Sequence, residues 1–556
     1  MKNLRVGLAR ILLVLPALAV PAALAGQAPA DAVQRVDRLF ERWTKQTPGC
    51  AVAVAQGTKT LLSRAWGMAD LEHDIANTPG TIFESGSVAK QFTSAAIVLL
   101  SLDGKLALED DVRKYLPELP AYGRTLTIRH MMTHTSGLRD WGSVAGIAGW
   151  PRGQRAHTHA HVIDIVSRQR ALNFTPGYEY SYSNTGYNLL AVIVSRVSGT
   201  SFAEFSRRRL FEPLGMKDTQ WRDDFTRIVR GRAQAYSGGQ NGFSIDMPFE
   251  YVHGNGGLLT TVGDLLIWTR NLETGQVGGP AFLEAMHRVG VLNDGRKISY
   301  ASGLMIGPYN GVREVSHTGS TAGYRAFLAR YPDQQLSVAL LCNVGSVNPG
   351  QLGHQVADIY LGNAARPARP QPPQPFSVPA DRLAARAGLY RETGSGEPFR
   401  LVFADGALRA QPGGALTPVS ADAAQFGATA RRLTFETPAA GGRPRIRESN
   451  GDAPVVVYDP VPEFTPTAEE LAAYAGEYHS PDAETTLVLS VENGQLIAFR
   501  RPDTRIRFTP VYRDAFEAQQ LGLVRFYRAG LAGGGGVTQM SVRQARVYDL
   551  RFDRVR

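Results

Sequence analysis

The strongest constraint on the fold is an internal repeat in the last third of the chain. LAARAGLY at Leu383–Tyr390 returns as LAAYAGEY at Leu471–Tyr478, and Gly406-Ala407-Leu408 returns as Gly494-Gln495-Leu496, both displaced by 88 positions. Thr417-Pro418-Val419 and Asp422 return as Thr509-Pro510-Val511 and Asp514, displaced by 92, so four residues are inserted between the two landmarks. Short alternating runs such as Arg400–Phe403 and Thr485–Ser490, broken by Gly, Asn and Asp turns, have the period of antiparallel strands. Two copies are too few for a solenoid. The expectation is two homologous small antiparallel β-barrel domains, 380–465 and 466–556.

A proline-rich stretch, RPARPQPPQPFSVP at 366–379, precedes the repeat and reads as an extended linker. The segment before it, 26–365, has another texture. An amphipathic helix over Ala32–Lys45 leads to a strand at Cys50–Gln56 and then to helical stretches, and strand-like runs follow at Arg313–Ser316, Tyr324–Tyr331 and Leu336–Cys342. Strands at both ends with helices between predict an α+β domain, an antiparallel sheet flanked by helices.

Composition removes several classes. With 2 Cys in 556 residues, neither a disulfide framework nor a Cys₄ zinc module is available. The net charge of +10 comes from scattered arginines, and the longest basic run, Arg207-Arg208-Arg209, is too short for a nucleic-acid stripe. At the start, Lys2, Arg5 and Arg10 precede the apolar run Ile11–Val20, and Ala23-Leu24-Ala25 offers a small-x-small cleavage pattern. Residues 1–25 therefore read as a signal peptide, too short and too interrupted by Pro16 and Pro21 for a stable membrane anchor. The expected location is periplasmic or secreted.

Three short constellations could carry chemistry. Ser87-Val88-Ala89-Lys90 opens a stretch in which Ala89, Phe92, Ala96, Leu99 and Leu102 recur at helical spacing before Gly104. Ser87 thus sits at the first turn of a buried helix, with Lys90 one turn deeper on the same face. A lysine in a dry place can lose its proton and act as a base for a serine nucleophile. Tyr182-Ser183-Asn184 lies in a turn before a helix starting near Thr185, and His317-Thr318-Gly319-Ser320 follows a strand. Each motif alone is weak, since an S-x-x-K arises by chance in a chain of this length and a buried Tyr usually just packs.

In this order and with these gaps, the chain resembles the serine β-lactamase and penicillin-binding superfamily. It is most similar to the branch of class C β-lactamases, D,D-carboxypeptidases, D-aminopeptidases and related esterases. HMMTHTSGL at His130–Leu138 and GNGGLLTTVGDLLIW at Gly254–Trp268 support the resemblance, which covers Gln27 to about Ala365. It implies Ser87 as the acylated nucleophile, Lys90 as its base partner, Tyr182 as proton shuttle and His317 as a further catalytic position. The Lys90/Tyr182 division of labour is left open. It also implies Asn184, Thr318 and Gly319 in substrate binding, and the N–H groups of Ser87 and Ser320 as the oxyanion hole. Class C β-lactamases usually carry Lys where this chain has His317, so D,D-peptidase-like or D-aminopeptidase-like cleavage of small D-amino-acid peptides or amides comes first. A carboxylesterase is the alternative, and a β-lactamase or a penicillin-binding sensor comes lower.

A catalytic domain followed by two barrels resembles the three-domain D-aminopeptidases, in which a loop of the last domain reaches the active site. The Gly-rich tip Ala529–Gly536 is one candidate for that loop. In the family's sheet the strands that begin with Cys50 and end with Cys342 are neighbours, which makes a disulfide one option and free buried thiols the other. The implied partners are a small peptide, amide or ester, with cell-wall fragments as one source, and a second copy in a homodimer. No cofactor is implied. His157, His159 and His161 cluster without a Cys or carboxylate to complete a zinc set, and His130 lacks the adjacent Glu of a zincin. No G-x-S-x-G occurs, which argues against an α/β-hydrolase.

Overall fold

A computed structural model describes residues 30–239, 241–365, 372–438, 442–530 and 535–556. The expected leader and positions 366–371 of the linker lie outside the described residues.

Six antiparallel strands build the first sheet, in the order Met305–Tyr309, Val312–Thr321, Tyr324–Tyr331, Leu336–Cys342, Cys50–Gln56, Lys59–Trp66. The first strand of the chain is therefore slotted between the last and the second. CAVAVAQ and LSVALLC are almost continuously apolar because both faces of these central strands are covered. Ala51, Ala53, Ala339 and Leu341 face the core containing the helix Lys90–Leu102, whereas Val52, Val54, Val338 and Leu340 face the helices Ala32–Phe40 and Pro349–Leu361. The two outer strands were absent from the sequence reading because their residues are mostly exposed or half-buried, leaving no apolar alternation to find. Cys50 and Cys342 stand directly opposite one another and are disulfide-bonded, which selects the first of the two options for these thiols.

The repeat forms two closed barrels of eight antiparallel strands each, between Gly388 and Pro460 and between Gly476 and Arg554. Closure leaves no unpaired sheet edge, and an eight-stranded interior is just wide enough to be filled by side chains. Leu487 and Leu489 point inward while Val488 between them is exposed. The repeated octapeptide has a specific job. In each copy a short helix (Ala380–Ala384 or Ala468–Ala472) buries Leu383 or Leu471, and a buried tyrosine hydroxyl locks the turn that follows. Tyr390 donates to the Arg386 carbonyl at 2.7 Å, and Tyr478 donates to the Tyr474 carbonyl at 2.9 Å.

The second barrel is docked on the first domain through buried polar groups. Arg139, 4% exposed, pairs with Asp482 at 3.0 Å and donates to the carbonyls of Tyr548 and Asp549. Arg500 donates to the Gly146 carbonyl at 2.8 Å. Asn173 takes part twice, donating to the Arg546 carbonyl and accepting from the Tyr548 amide.

Candidate active site

Ser87 sits in a single 3₁₀ turn, Gly86–Ala89, which runs into the helix Lys90–Leu102. Every residue of that helix from Lys90 to Leu100 is buried, so its first turn is anchored from within. Gly86 has φ +51°, and an added Cβ there would lie 2.5 Å from the Ser320 nitrogen. A Cβ on Gly319 would lie 2.0 Å from the Ser85 carbonyl oxygen and 3.1 Å from the Ser87 nitrogen. Glycine at both positions is what lets the strand Val312–Thr321 run against the Ser87 turn, with the Ser320 amide beside it.

The serine is engaged from two sides. Lys90 Nζ lies 3.1 Å from Ser87 Oγ, and Tyr182 Oη donates to the same oxygen at 2.9 Å. Lys90 also donates to Asn184 Oδ1 at 3.0 Å and to the Asn255 carbonyl at 2.7 Å. It is fully buried, and among the described residues no carboxylate pairs with it. Burial first, then the positive charges of Arg152 and Arg546, hold its pKa well below that of an ordinary lysine, against a smaller opposing pull from Asp140. A neutral amine can give its two N–H groups to Asn184 and Asn255 and keep its lone pair for the serine hydroxyl. Burial drives the Tyr182 phenol the other way, upward, so it stays protonated.

Neighbours that the sequence reading missed hold this arrangement. Asp140 accepts the Asn184 amide at 2.8 Å and caps the helix Trp141–Ile147. Asn188 holds the Asn255 side chain at 2.7 Å. His134, in a left-handed conformation at φ 57°, accepts from the Ser183 amide through Nδ1 and takes the Ser181 amide on its carbonyl, bracketing Tyr182. Its ring lies 4.2 Å from that of Tyr182. His134 was visible in HTSGL but lacked any signal of this contact.

His317 lines the same cavity without bonding to Ser87 or Lys90. Its Nδ1 lies 2.6 Å from the Thr318 carbonyl and its Nε2 lies 3.0 Å from Tyr300 Oη. The carbonyl can only accept, so Nδ1 carries the hydrogen and Nε2 receives the phenol. Burial, reinforced by Lys90 whenever that amine is protonated, pushes this imidazole down to about 4, so it is neutral. Thr318 and Ser320 are exposed toward the cleft and Gly319 is buried. The cavity above Ser87 measures about 670 Å³, and three arginines, Arg152, Arg325 and Arg546, reach its wall.

Arg546 belongs to the second barrel, in the turn between Val537–Gln544 and Val547–Arg554. The tip Ala529–Gly536 lies one hairpin earlier, and its residues 531–534 are outside the described residues. Away from the cleft, Asp70, Glu72 and His73 bring possible metal-ligand atoms within 4.8 Å of one another, but the Asp70 carboxylate is already shared by His73 and Gln234.

The family model described as Beta-lactamase matches residues 34–359. Penicillin-binding protein 4* of Bacillus subtilis (strain 168) is 30% identical over 310 residues, covering 52% of this chain and 67% of that protein. A D-aminopeptidase of Gluconobacter oxydans (strain 621H) is 28% identical over 460 residues, covering 80% and 82%. Among solved structures, an octameric penicillin-binding protein homologue from Pyrococcus abyssi superposes with a TM-score of 0.53 at 23% identity, covering 77% of this chain and 98% of its own, a likeness of fold.

Proposed function

The chain belongs to the β-lactamase family, and we propose that it is an exported serine hydrolase that forms an acyl-enzyme at Ser87 and cleaves small D-configured peptides or amides. The observation that carries this reading is the Ser87 hydroxyl held between the buried Lys90 amine and the Tyr182 phenol. Lys90 takes the serine proton as Oγ attacks the carbonyl carbon. The converging Ser87 and Ser320 amides receive the developing oxyanion. Tyr182 then gives its phenol proton to the leaving nitrogen and is reprotonated from the Lys90 ammonium. Water releases the acyl group by the reverse sequence of proton transfers. Asn184, Thr318 and Gly319 bind the substrate backbone, while His317, neutral and tied to Tyr300, shapes the wall. The Cys50–Cys342 bond supports export, since such bonds persist in oxidising compartments. Self-association as a homodimer is part of the reading, and light scattering measures it.

The test is kcat/KM on matched D-Ala and L-Ala anilides, with Ser87→Ala as control and intact mass to detect acylated Ser87. A D preference abolished by Ser87→Ala is expected. Turnover of neither enantiomer rejects amide cleavage, and acylation at another residue rejects the mechanism.

A further inference from the structure

The cavity above Ser87 has an unbalanced charge. None of the described residues that line it is acidic, whereas Arg152, Arg325 and Arg546 all do so. Arg152 is neutralised by Glu250, to which its Nε donates at 3.1 Å. Arg325 gives Nη1 to the carbonyls of Ala322 and Tyr324, both at 2.7 Å, and Asp246 is the acidic group that acts on its charge. For Arg546, no carboxylate lies within 4 Å of the guanidinium among the described residues, which lies 4.9 Å from the centre of the Tyr182 ring. Its carbonyl is held by the Asp140 amide at 3.1 Å and by Asn173 at 3.1 Å, so the turn that carries the side chain is fixed to the catalytic domain.

We propose that Arg546 makes the second barrel a specificity element that selects substrates carrying a carboxylate on the leaving-group side of the scissile bond. This rests on the acyl-enzyme reading above. The placement follows from Tyr182, which touches Ser87 and hands its proton to the leaving group, so a cation stacked on its ring lies on that flank. A guanidinium presents paired N–H donors in the geometry of a carboxylate, and a charge-assisted bond of this kind is stronger than a neutral one. An α-ammonium placed here would meet like charge. Asp140 is committed to the Asn184 amide beneath the cavity, and in an adjoining hollow of about 350 Å³ Glu250 is committed to Arg152 and Asp246 acts on Arg325.

Three peptides separate the outcomes: acetyl-D-Ala-D-Ala with a free C-terminal carboxylate, its C-terminal amide, and D-Ala-D-Ala-amide with a free ammonium. The acid is expected to exceed both peptides that lack the carboxylate in kcat/KM by at least about tenfold. Arg546→Gln is expected to bring acid and amide to within about threefold, and Arg546→Lys to restore part of the difference. Equal rates for acid and amide in the wild-type protein, or a preference that survives Arg546→Gln, overturn the proposal. Faster cleavage of the ammonium peptide than of the acid also overturns it. Binding of the same peptides to Ser87→Ala by calorimetry repeats the comparison without turnover. If no peptide is cleaved and Ser87 takes no acyl group, the hydrolase reading fails, and the calorimetric acid/amide ratio still decides the role of Arg546.

Discussion

The two barrels share a fold, a strand order and a tyrosine lock, yet they occupy opposite positions in the chemistry. The second is joined to the catalytic domain by Arg139–Asp482, by Arg500 and by the Asn173 pair. Among the described residues, the first makes its hydrogen bonds and ion pairs with its own strands, the segment before it and the second barrel, including Tyr512 Oη to the Gly396 carbonyl and Arg543 to Glu397 at 3.2 Å. The last hairpin of the second barrel turns through Ala545-Arg546 at the cleft, whereas that of the first turns through Gly451–Val455 with Asp452 exposed. Duplication supplied the scaffold twice, and contact with the catalytic domain decides which copy can influence the reaction. Residues that define the barrel, such as Tyr390 and Tyr478, repeat between copies; the residue at the cleft does not.

That contrast can be broken or sharpened by mutation. The largest effect belongs to neither barrel: Lys90→Met removes the base and is expected to lower kcat/KM by roughly 10²–10⁴-fold, read in a steady-state assay. Next comes the docking surface. Arg139→Met leaves Asp482 without its buried partner, and urea unfolding should show a loss of about 3–5 kcal/mol. The half-buried pair Arg431–Glu448 of the first barrel should cost only about 1 kcal/mol when cut by Arg431→Met, measured in the same way. Similar losses at both sites would mean that docking contributes nothing special.

The third effect is a shift in pH dependence. Lys90 must be unprotonated to accept the serine proton, so activity falls as pH drops through its depressed pKa. The Arg546 charge helps to depress that pKa, so Arg546→Gln lets it rise and moves the acidic limb of the kcat/KM profile to higher pH. Asp452→Asn, at the equivalent turn of the first barrel, is expected to leave the limb where it is. The smallest effect is the stability change of that same variant, within about 0.5 kcal/mol for an exposed site, read as a thermal midpoint.

How much of this could be read from sequence follows the distance between partners along the chain. Ser87 and Lys90 were legible because three residues on a helix guarantee proximity. The barrels were legible because a duplicated pattern is its own control. Tyr182 and His317 needed a resemblance, since nothing local ties them to Ser87. Asn255, Tyr300 and Arg546 stayed hidden: each is an ordinary polar residue whose role comes from packing across 165, 17 and hundreds of positions, respectively. Arg546 is one arginine among many, and only docking of a separate domain makes it part of the cleft.

The position of the first strand has a consequence in time. Cys50–Gln56 lies between Lys59–Trp66 and Leu336–Cys342, and the latter is among the last parts of the catalytic segment to be synthesised. Ser87 therefore leaves the ribosome long before the strand that carries Ser320 and the one that completes the sheet. Until then the proposed oxyanion site has only one of its two amides, and Lys90 has no closed core to dry it. On the proposed mechanism the nascent chain carries its nucleophile through synthesis in an unarmed state, and arming waits for the two ends of the domain to meet.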